Sequence, residues 1–190
     1  MIRSSAARNL AAAVLLASVT GASCAAGWKA DPAGSRLEFV ATFEGAPVPG
    51  VFKSFDARLD LDPERPSGGS LDVTIRTASA GTGIPDVDRE IASPVWFDYA
   101  AFPQATFRSS DVTRVAAGRY VARGTLTLKG VSRPVDVPFT YAGTATGARI
   151  EGELTLERGA FRIGTGEWAA TGVIGSDVKV RFRVALVEAR

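Results

Sequence analysis

The sequence predicts an all-β domain built from about eight antiparallel strands. The clearest evidence is residues 120–128, where apolar and polar side chains alternate with the period of two expected of a strand with two different faces. Lys129-Gly130 then supplies a tight turn, and a second alternating run follows from Val135. Similar runs recur along the chain, separated by clusters of Gly, Pro and small residues. This pattern fits an up-and-down barrel or a sandwich, and alternation alone does not choose between them.

Each strand is predicted from its alternation and from the turn residues that bound it. In chain order the strands cover residues 37–43, 51–61, 71–77, 105–109, 120–128, 135–141, 150–156 and 178–186. The clearest turn clusters lie at 45–50, 63–69, 117–118 and 143–147. If the strands close into an eight-stranded barrel, its interior is just wide enough to hold one small ligand.

One short helix and one long aromatic loop interrupt the strands. The helix is predicted over 87–93, with Asp86 as its cap. The surrounding segment, 81–103, is long for a connection in a compact β domain, and such loops are often functional. It contains the aromatic residues Trp96, Phe97, Tyr99 and Phe102. We expect these side chains to fold over the end of a barrel or into the core.

Residues 1–26 predict a cleaved secretory signal peptide. A positive start is followed by an apolar run at 10–19, too short to span a bilayer, and then by small residues. We expect cleavage after Ala25 or Ala26, which leaves one exported domain, 27–190.

The composition excludes several classes of chemistry. The chain has no His, and its one Met is the initiator, so Ser-His-Asp, Cys-His and His-containing zinc sites are absent. The one Cys, Cys24, is either the acylated residue of a lipoprotein signal or a small residue near the cleavage site, and we expect the second. The 22 Lys and Arg exceed the 20 Asp and Glu by the two arginines of the signal, so the remaining domain is near neutral. That balance gives no reason to expect a nucleic-acid partner.

Two acidic runs have carboxylates at alternate positions, a spacing that invites a calcium interpretation. They are Asp60, Asp62 and Glu64, and Asp86, Asp88 and Glu90. Neither has the Gly and distal Glu of a helix-loop-helix calcium site. We interpret them as a solvated strand end and a helix start, and predict no metal, no cofactor and no catalytic residue.

Several motifs together carry a family resemblance. Trp28, Asp31, Ser35 and Phe39 form an opening of the type W-x-x-D-x-x-x-S-x-x-x-F. Further blocks are Gly50-Val51-Phe52 with Phe55, Phe-Pro-Gln-Ala-Thr-Phe at 102–107, Gly-Thr-Leu-Thr-Leu-Lys-Gly-Val-Ser-Arg-Pro-Val at 124–135, and Phe-Arg-Ile-Gly at 161–164 with Trp168. With these blocks the chain resembles the YceI-like periplasmic proteins. The His often found after the position of Arg89 is replaced here by Glu90-Ile91, so no role of that His is carried over.

The resemblance implies an eight-stranded lipocalin-like barrel whose lumen holds an isoprenoid lipid, such as a polyprenyl phosphate or a quinone. In this interpretation the apolar faces of the strands form the wall of the lumen, and Trp96, Phe97 and Trp168 line its entrance. The candidates for binding the polar head group of the ligand are Arg89, Lys129, Arg133 and Arg162. The predicted ligand-binding residues are Phe39, Phe43, Phe55, Ile75, Arg89, Trp96, Phe97, Phe107, Leu126, Phe139, Phe161, Arg162, Trp168 and Phe182. For the apolar members the alternative is ordinary core packing, and Trp28 is expected to plug one barrel end.

A second function stays open: a non-enzymatic accessory or stress-response partner of a membrane cytochrome of the b561 type, with a homodimer also open. An exposed apolar patch around 94–102 would favour that role. A continuous tunnel with a cationic mouth would favour lipid binding. With no His and no Cys beyond the signal, we predict that the protein is not an enzyme.

Overall fold

The computed structural model describes residues 26–144, 146–170 and 172–189, and these form ten antiparallel strands and one short α-helix. The strands are β1 (Ala26–Phe43), β2 (Ala46–Phe52), β3 (Phe55–Leu61), β4 (Ser70–Arg76), β5 (Ala80–Gly81), β6 (Gln104–Ala116), β7 (Arg119–Leu128), β8 (Val131–Thr144), β9 (Gly147–Glu157) and β10 (Asp177–Glu188). The helix α1 covers Pro85–Glu90. Short 3-10 turns cover Thr77–Ser79, Arg158–Phe161 and Gly166–Ala169.

The strands close into one eight-stranded antiparallel barrel, which confirms the predicted fold class and rules out a sandwich. Neighbours follow the order β10-β9-β8-β7-β6-β4-β3-β1, and β10 pairs with β1 to close the ring. The first half of β1 pairs with β3 and its second half with β2. β2 and β3 therefore lie end to end along β1 and share one position in the wall.

The structure confirms the hairpin that the sequence predicts around Lys129-Gly130. Leu128 pairs with Val131, and Lys129 and Gly130 between them both have positive φ, 48° and 71°. Positive φ at both central residues is what a type I′ hairpin turn requires. Glycine takes this conformation without steric cost, which explains its place in the turn.

The helix begins earlier than predicted. α1 starts at Pro85, whose fixed φ and missing N–H suit the first turn. The prediction of Asp86 as the cap was wrong, because the capping position is Ile84 and Asp86 lies in the first turn. There Asp86 accepts a 3.0 Å hydrogen bond from Arg89.

One end of the barrel is solid. The most deeply buried large side chains sit where the β3–β4, β6–β7 and β8–β9 turns gather: Leu59, Leu61, Val112, Ile150 and Leu186. Trp28, near the start of β1, packs against this cluster. These apolar side chains pack together and exclude water. The other end carries the long segments 77–103 and 158–176.

The predicted signal peptide and Cys24 lie outside the described residues, apart from Ala26, which begins β1. Among the helices of the described ranges, none has the length and apolar character needed to cross a membrane.

Candidate ligand-binding cavity

The half of the barrel opposite the solid end encloses an apolar cavity of about 650 Å³. Cavities that hold small molecules typically measure about 300–1,000 Å³. Inward-facing residues of the barrel strands line it together with the two long segments. The polar exceptions among its lining residues are Thr42, Thr82, Asp86, Glu90 and Arg158. The arrangement suits an apolar ligand of considerable length.

Strand β10 shows how alternation builds this wall. Val178, Val180 and Phe182 line the cavity, while Lys179 and Arg181 point to solvent. Both cations pair there with Glu153 of β9, Lys179 through an Nζ–Oε1 distance of 3.4 Å. The hydrogen bond from Arg181, helped by the Lys179 contact, lowers the pKa of Glu153 and outweighs the opposing effect of burial. One face of the strand thus makes the cavity and the other makes surface ion pairs.

Glycines in the wall make room for phenylalanine rings. In three places a ring tip occupies the space that a Cβ atom would need on a neighbouring strand: Phe39 over Gly50, Phe182 over Gly152 and Phe107 over Gly124. Rings that rest on glycine lie against the wall and leave the centre of the barrel open. This is a physical reason for glycine inside strands, where it is otherwise unfavourable.

Replacing Gly50 by alanine is expected to force the Phe39 ring off the wall and into the cavity. The new Cβ would overlap the ring tip, and the three atoms nearest to it are all Phe39 ring atoms. Overpacking of this kind costs about 1–3 kcal/mol of folding free energy. Chemical denaturation measures the loss. Gly159→Ala is the control, since a Cβ there meets nothing within 4 Å. Equal stability of the two variants would contradict the claim that Gly50 makes room for the Phe39 ring.

The aromatic loop folds over the cavity, as expected from its sequence. Trp96 is buried, and its ring centroid lies 6.1 Å from that of Trp168 in the other long segment. The backbone N–H of Gly164 donates to the carbonyl of Val95 at 2.9 Å, which ties the two segments together. Trp96 Nε1 donates to Glu90 Oε1 at 3.1 Å. Together these segments form a lid over one end of the barrel.

Arg158 is buried beside the cavity with only 5% of its surface exposed. Its five N–H groups point at five backbone carbonyls: those of Ile163, Gly164, Trp168, Ile174 and Gly175, at 2.7–3.0 Å. Within the described residues no carboxylate lies within 4.0 Å of it. Burial lowers the pKa of Arg158. The carbonyl dipoles take the place of a counter-ion, and the side chain holds the 158–175 part of the lid in shape.

Arg158 was not predicted as a site residue, although its position in the sequence carried a signal. Leu154 and Leu156 face the cavity at alternate positions of β9, and Arg158 continues that face by two residues. Phe52, Ile91 and Glu90 were also missed as lining residues. For these the signal was weaker, because they lie at or beyond the ends of regular alternation.

The acidic side chains of α1 have separate partners. Asp88 accepts hydrogen bonds from the backbone N–H and the hydroxyl of Thr82, at 2.6 and 2.7 Å, and these bonds lower the pKa of Asp88. Nearby, the Tyr99 hydroxyl is buried with no hydrogen-bond partner among the described residues. Burial, with a smaller effect of the Asp88 charge, raises the pKa of Tyr99 to about 12. In the described part of the chain, no three His, Cys, Asp or Glu residues are grouped as a metal ion would need.

The structure brings most of the predicted site residues to the cavity. Those that line it are Phe39, Phe43, Phe55, Ile75, Trp96, Phe97, Phe107, Leu126, Phe161, Trp168 and Phe182. Phe139 instead stacks on Tyr120, with ring centroids 5.6 Å apart, outside the cavity lining. Arg89 and Arg162 are exposed and also lie outside the lining. Their roles in ligand binding stay predictions.

The basic candidates are not among the residues that line the cavity. Lys129 Nζ donates to the Arg162 carbonyl at 2.9 Å, and Arg133 Nε donates to a carbonyl of the same 3-10 turn region, that of Ala160, at 3.4 Å. Burial lowers the pKa of Lys129. At the opening, the charged lining residues are the acids Asp86 and Glu90 of α1.

The rim of the opening is partly apolar. Phe43 on the β1–β2 hairpin and Ile84 before α1 line the cavity and are 43% and 50% exposed. By contrast, none of the large apolar side chains that the described chain exposes falls within 94–102. The exposed apolar patch that would favour a protein partner is therefore not found in that segment.

Comparisons with known proteins agree with this architecture. A family model described as the YceI-like domain matches residues 28–186. The structure of BcnA from Burkholderia cenocepacia is 35% identical with a TM-score of 0.80, and the match covers 82% of this chain and 98% of that one. A polyisoprenoid binding domain from Saccharophagus degradans implicated in plant cell wall breakdown is 19% identical with a TM-score of 0.70, covering 85% and 98%. At that identity the likeness concerns the fold alone.

Curated relatives match over a shorter stretch. Protein YceI of Salmonella arizonae and of Salmonella newport are each 33% identical over 116 residues. The match covers 57% of this chain and 60% of theirs, so it spans less than two thirds of those relatives.

Proposed function

The chain belongs to the YceI-like domain family, and we propose that it binds an isoprenoid lipid, a polyprenyl phosphate or a quinone, in its cavity within the periplasm. The observation that carries the proposal is the apolar cavity of about 650 Å³ with an opening at one end of the barrel. A structural neighbour described as a polyisoprenoid binding domain supports the same ligand class.

The energetics of such a complex are favourable. Each CH₂ group removed from water contributes about 0.8 kcal/mol. A few isoprene units would therefore contribute on the order of 10 kcal/mol before ordering costs, which take back several kcal/mol. The remainder corresponds to an affinity of about micromolar or better. An apolar wall is sufficient for this, and specific polar contacts add selectivity.

We propose binding without catalysis. Two charged side chains of the lining, Glu90 and Arg158, already make hydrogen bonds to the protein. A nucleophile with an adjacent base is the usual mark of a hydrolytic site, and neither side chain has that geometry. The inward-turned 94–102 segment also supports lipid binding over the alternative, an accessory of a membrane cytochrome.

The test is to recover the protein from its native extract with any bound ligand. The full chain, expressed with export, is purified from the periplasm, examined by native mass spectrometry and then extracted with organic solvent. We expect one prenyl lipid or quinone per barrel. With free ligand at about one hundred times Kd, binding should add about 2.7 kcal/mol of stability. A barrel that is empty and takes up no added prenyl phosphate, prenol or quinone would overturn the proposal.

A further inference from the structure

The barrel wall is split between β8 and β9. Their pairing runs from the turn only as far as Thr140 and Glu151. Beyond that point, residues 131–138 of β8 pair with β7 alone, and residues 152–157 of β9 pair with β10 alone. We call this unpaired stretch, 131–138 facing 152–157, the seam. It lies at the cavity end of the barrel.

The sequence of β8 is adapted to an open edge. Successive residues of a strand direct their backbone groups to opposite neighbours. The N–H of Tyr141 donates toward the β7 side, to the Gly118 carbonyl, so the even-numbered positions of β8 face β9. Pro134 and Pro138 occupy even positions and carry no N–H. Proline is confined to such edges because it cannot donate to a ladder. The seam therefore lacks two of the donors that would close it.

A cleft of about 760 Å³ lies on the seam and borders the cavity. The residues that line both are Val135, Leu154, Leu156 and Phe161. All four are apolar, so the lining shared by cleft and cavity offers no polar barrier to a hydrocarbon chain. If the wall were closed here, these inward-facing side chains would line only the cavity and would not also border a cleft on the outer surface.

Arg133 stands at the rim of this cleft. Its position on β8 is on the inward face, in phase with Val135 and Val137, yet its side chain is exposed. The open seam explains that exposure. One of its five N–H groups reaches the Ala160 carbonyl at 3.4 Å, and no carboxylate of the described residues lies within 4.0 Å. Its guanidinium is available to an oxygen acceptor at the end of an apolar chain.

We propose that the seam is a lateral opening of the cavity, through which the lipid passes and where Arg133 contacts its polar end. The inference rests on the proposed function and adds a route and a head-group contact to it. The shared chemistry of the head is an oxygen acceptor, either phosphate or carbonyl. An opening in the wall lets a chain longer than the cavity keep its tail inside and its polar end in water.

A reversible cross-link tests the route. In the full chain carrying Cys24→Ser, Asp136→Cys and Thr155→Cys place thiols on the outward edges of the seam, and a reducible bis-maleimide joins them. The control pair is Ala142→Cys with Arg149→Cys, which are partners in the intact ladder of the same two strands. The readout is the exchange rate of an uncharged fluorescent apolar probe, N-phenyl-1-naphthylamine, and separately of polyprenyl phosphate.

We expect the seam cross-link to slow exchange at least tenfold, reduction of the linker to restore it, and the control cross-link to leave it unchanged. Unchanged exchange in the seam-linked protein would overturn the route even if prenyl lipids bind. If the seam cross-link slows exchange of the probe but no prenyl lipid binds, the proposed function is overturned and the lateral opening is supported.

The Arg133→Gln variant tests the contact. We expect about tenfold weaker binding of polyprenyl phosphate, the range of one charge-assisted hydrogen bond. Weaker binding of the polyprenyl phosphate, but not of the matching quinone, identifies an anionic head group as the partner of Arg133. Equally weakened binding of both ligands identifies a contact with a carbonyl-type oxygen. Unchanged binding of both, in a variant that melts like the parent, would overturn the contact.

Discussion

Replacing Arg158 by leucine is expected to lower the free energy of unfolding by about 3–5 kcal/mol. The substitution keeps an apolar side chain beside the cavity but removes all five donors from the carbonyls that now converge on the guanidinium. Those carbonyls all belong to one part of the lid, 163–175. Loss of the five hydrogen bonds should therefore destabilise that whole part of the lid. Urea denaturation measures the change in free energy, and amide hydrogen exchange locates it.

The matched control is Arg149→Leu on β9, the strand that leads into Arg158. Arg149 is exposed, and its Nη1 lies 3.8 Å from a Glu151 carboxylate oxygen. Exposed ion pairs of this kind contribute about 0–1 kcal/mol. Arg158→Lys should recover part of the loss, since an ammonium keeps the charge but has three donors in place of five. Equal stability of the Arg158→Leu and Arg149→Leu variants would show that the lid does not depend on Arg158.

The barrel itself could be predicted from the sequence because its wall obeys a strict local rule. Residues 120–128 alternate, the turn at Lys129-Gly130 has the positive φ values its sequence implies, and residues from Val135 resume the alternation. These are short-range properties, decided by the period of a strand and by turn chemistry. Closure into a barrel needed the family resemblance, since the same strands could also pack as a sandwich.

The cavity could not be derived in the same way. An inward Val180 looks the same in sequence whether it packs in a core or faces an empty lumen. The difference lies in long-range placement: rings such as Phe39 rest on glycines of neighbouring strands, and the lid covers the space they leave. The basic mouth was an expectation that came with the family resemblance, whereas the charged lining residues of α1 are the acids Asp86 and Glu90. Pro134 and Pro138 are typical of an unpaired edge, but this was not predicted from the sequence, and only the register shows which neighbour they face.

Filling the cavity should abolish most of the lipid affinity without unfolding the barrel. Val180 lies on the lining face of β10, and Val180→Trp places an indole ring in the lumen. If the ring displaces about four CH₂ groups of the bound chain, binding weakens by about 3 kcal/mol, or about a hundredfold. Isothermal titration with polyprenyl phosphate or a quinone measures this loss.

The control for that change is the adjacent residue. Lys179 is exposed on the outer face of the same strand, and its ion pair with Glu153 is a surface contact. Lys179→Trp adds the same ring outside the barrel and should bind the lipid as the parent protein does. Parent-like affinity in a folded Val180→Trp variant would place the ligand outside the lumen. A hundredfold difference in lipid affinity between the Val180→Trp and Lys179→Trp variants would show that inward-facing positions of β10 contact the ligand and that outward-facing positions contact solvent. The alternation in the sequence would then predict which side chains bind the lipid.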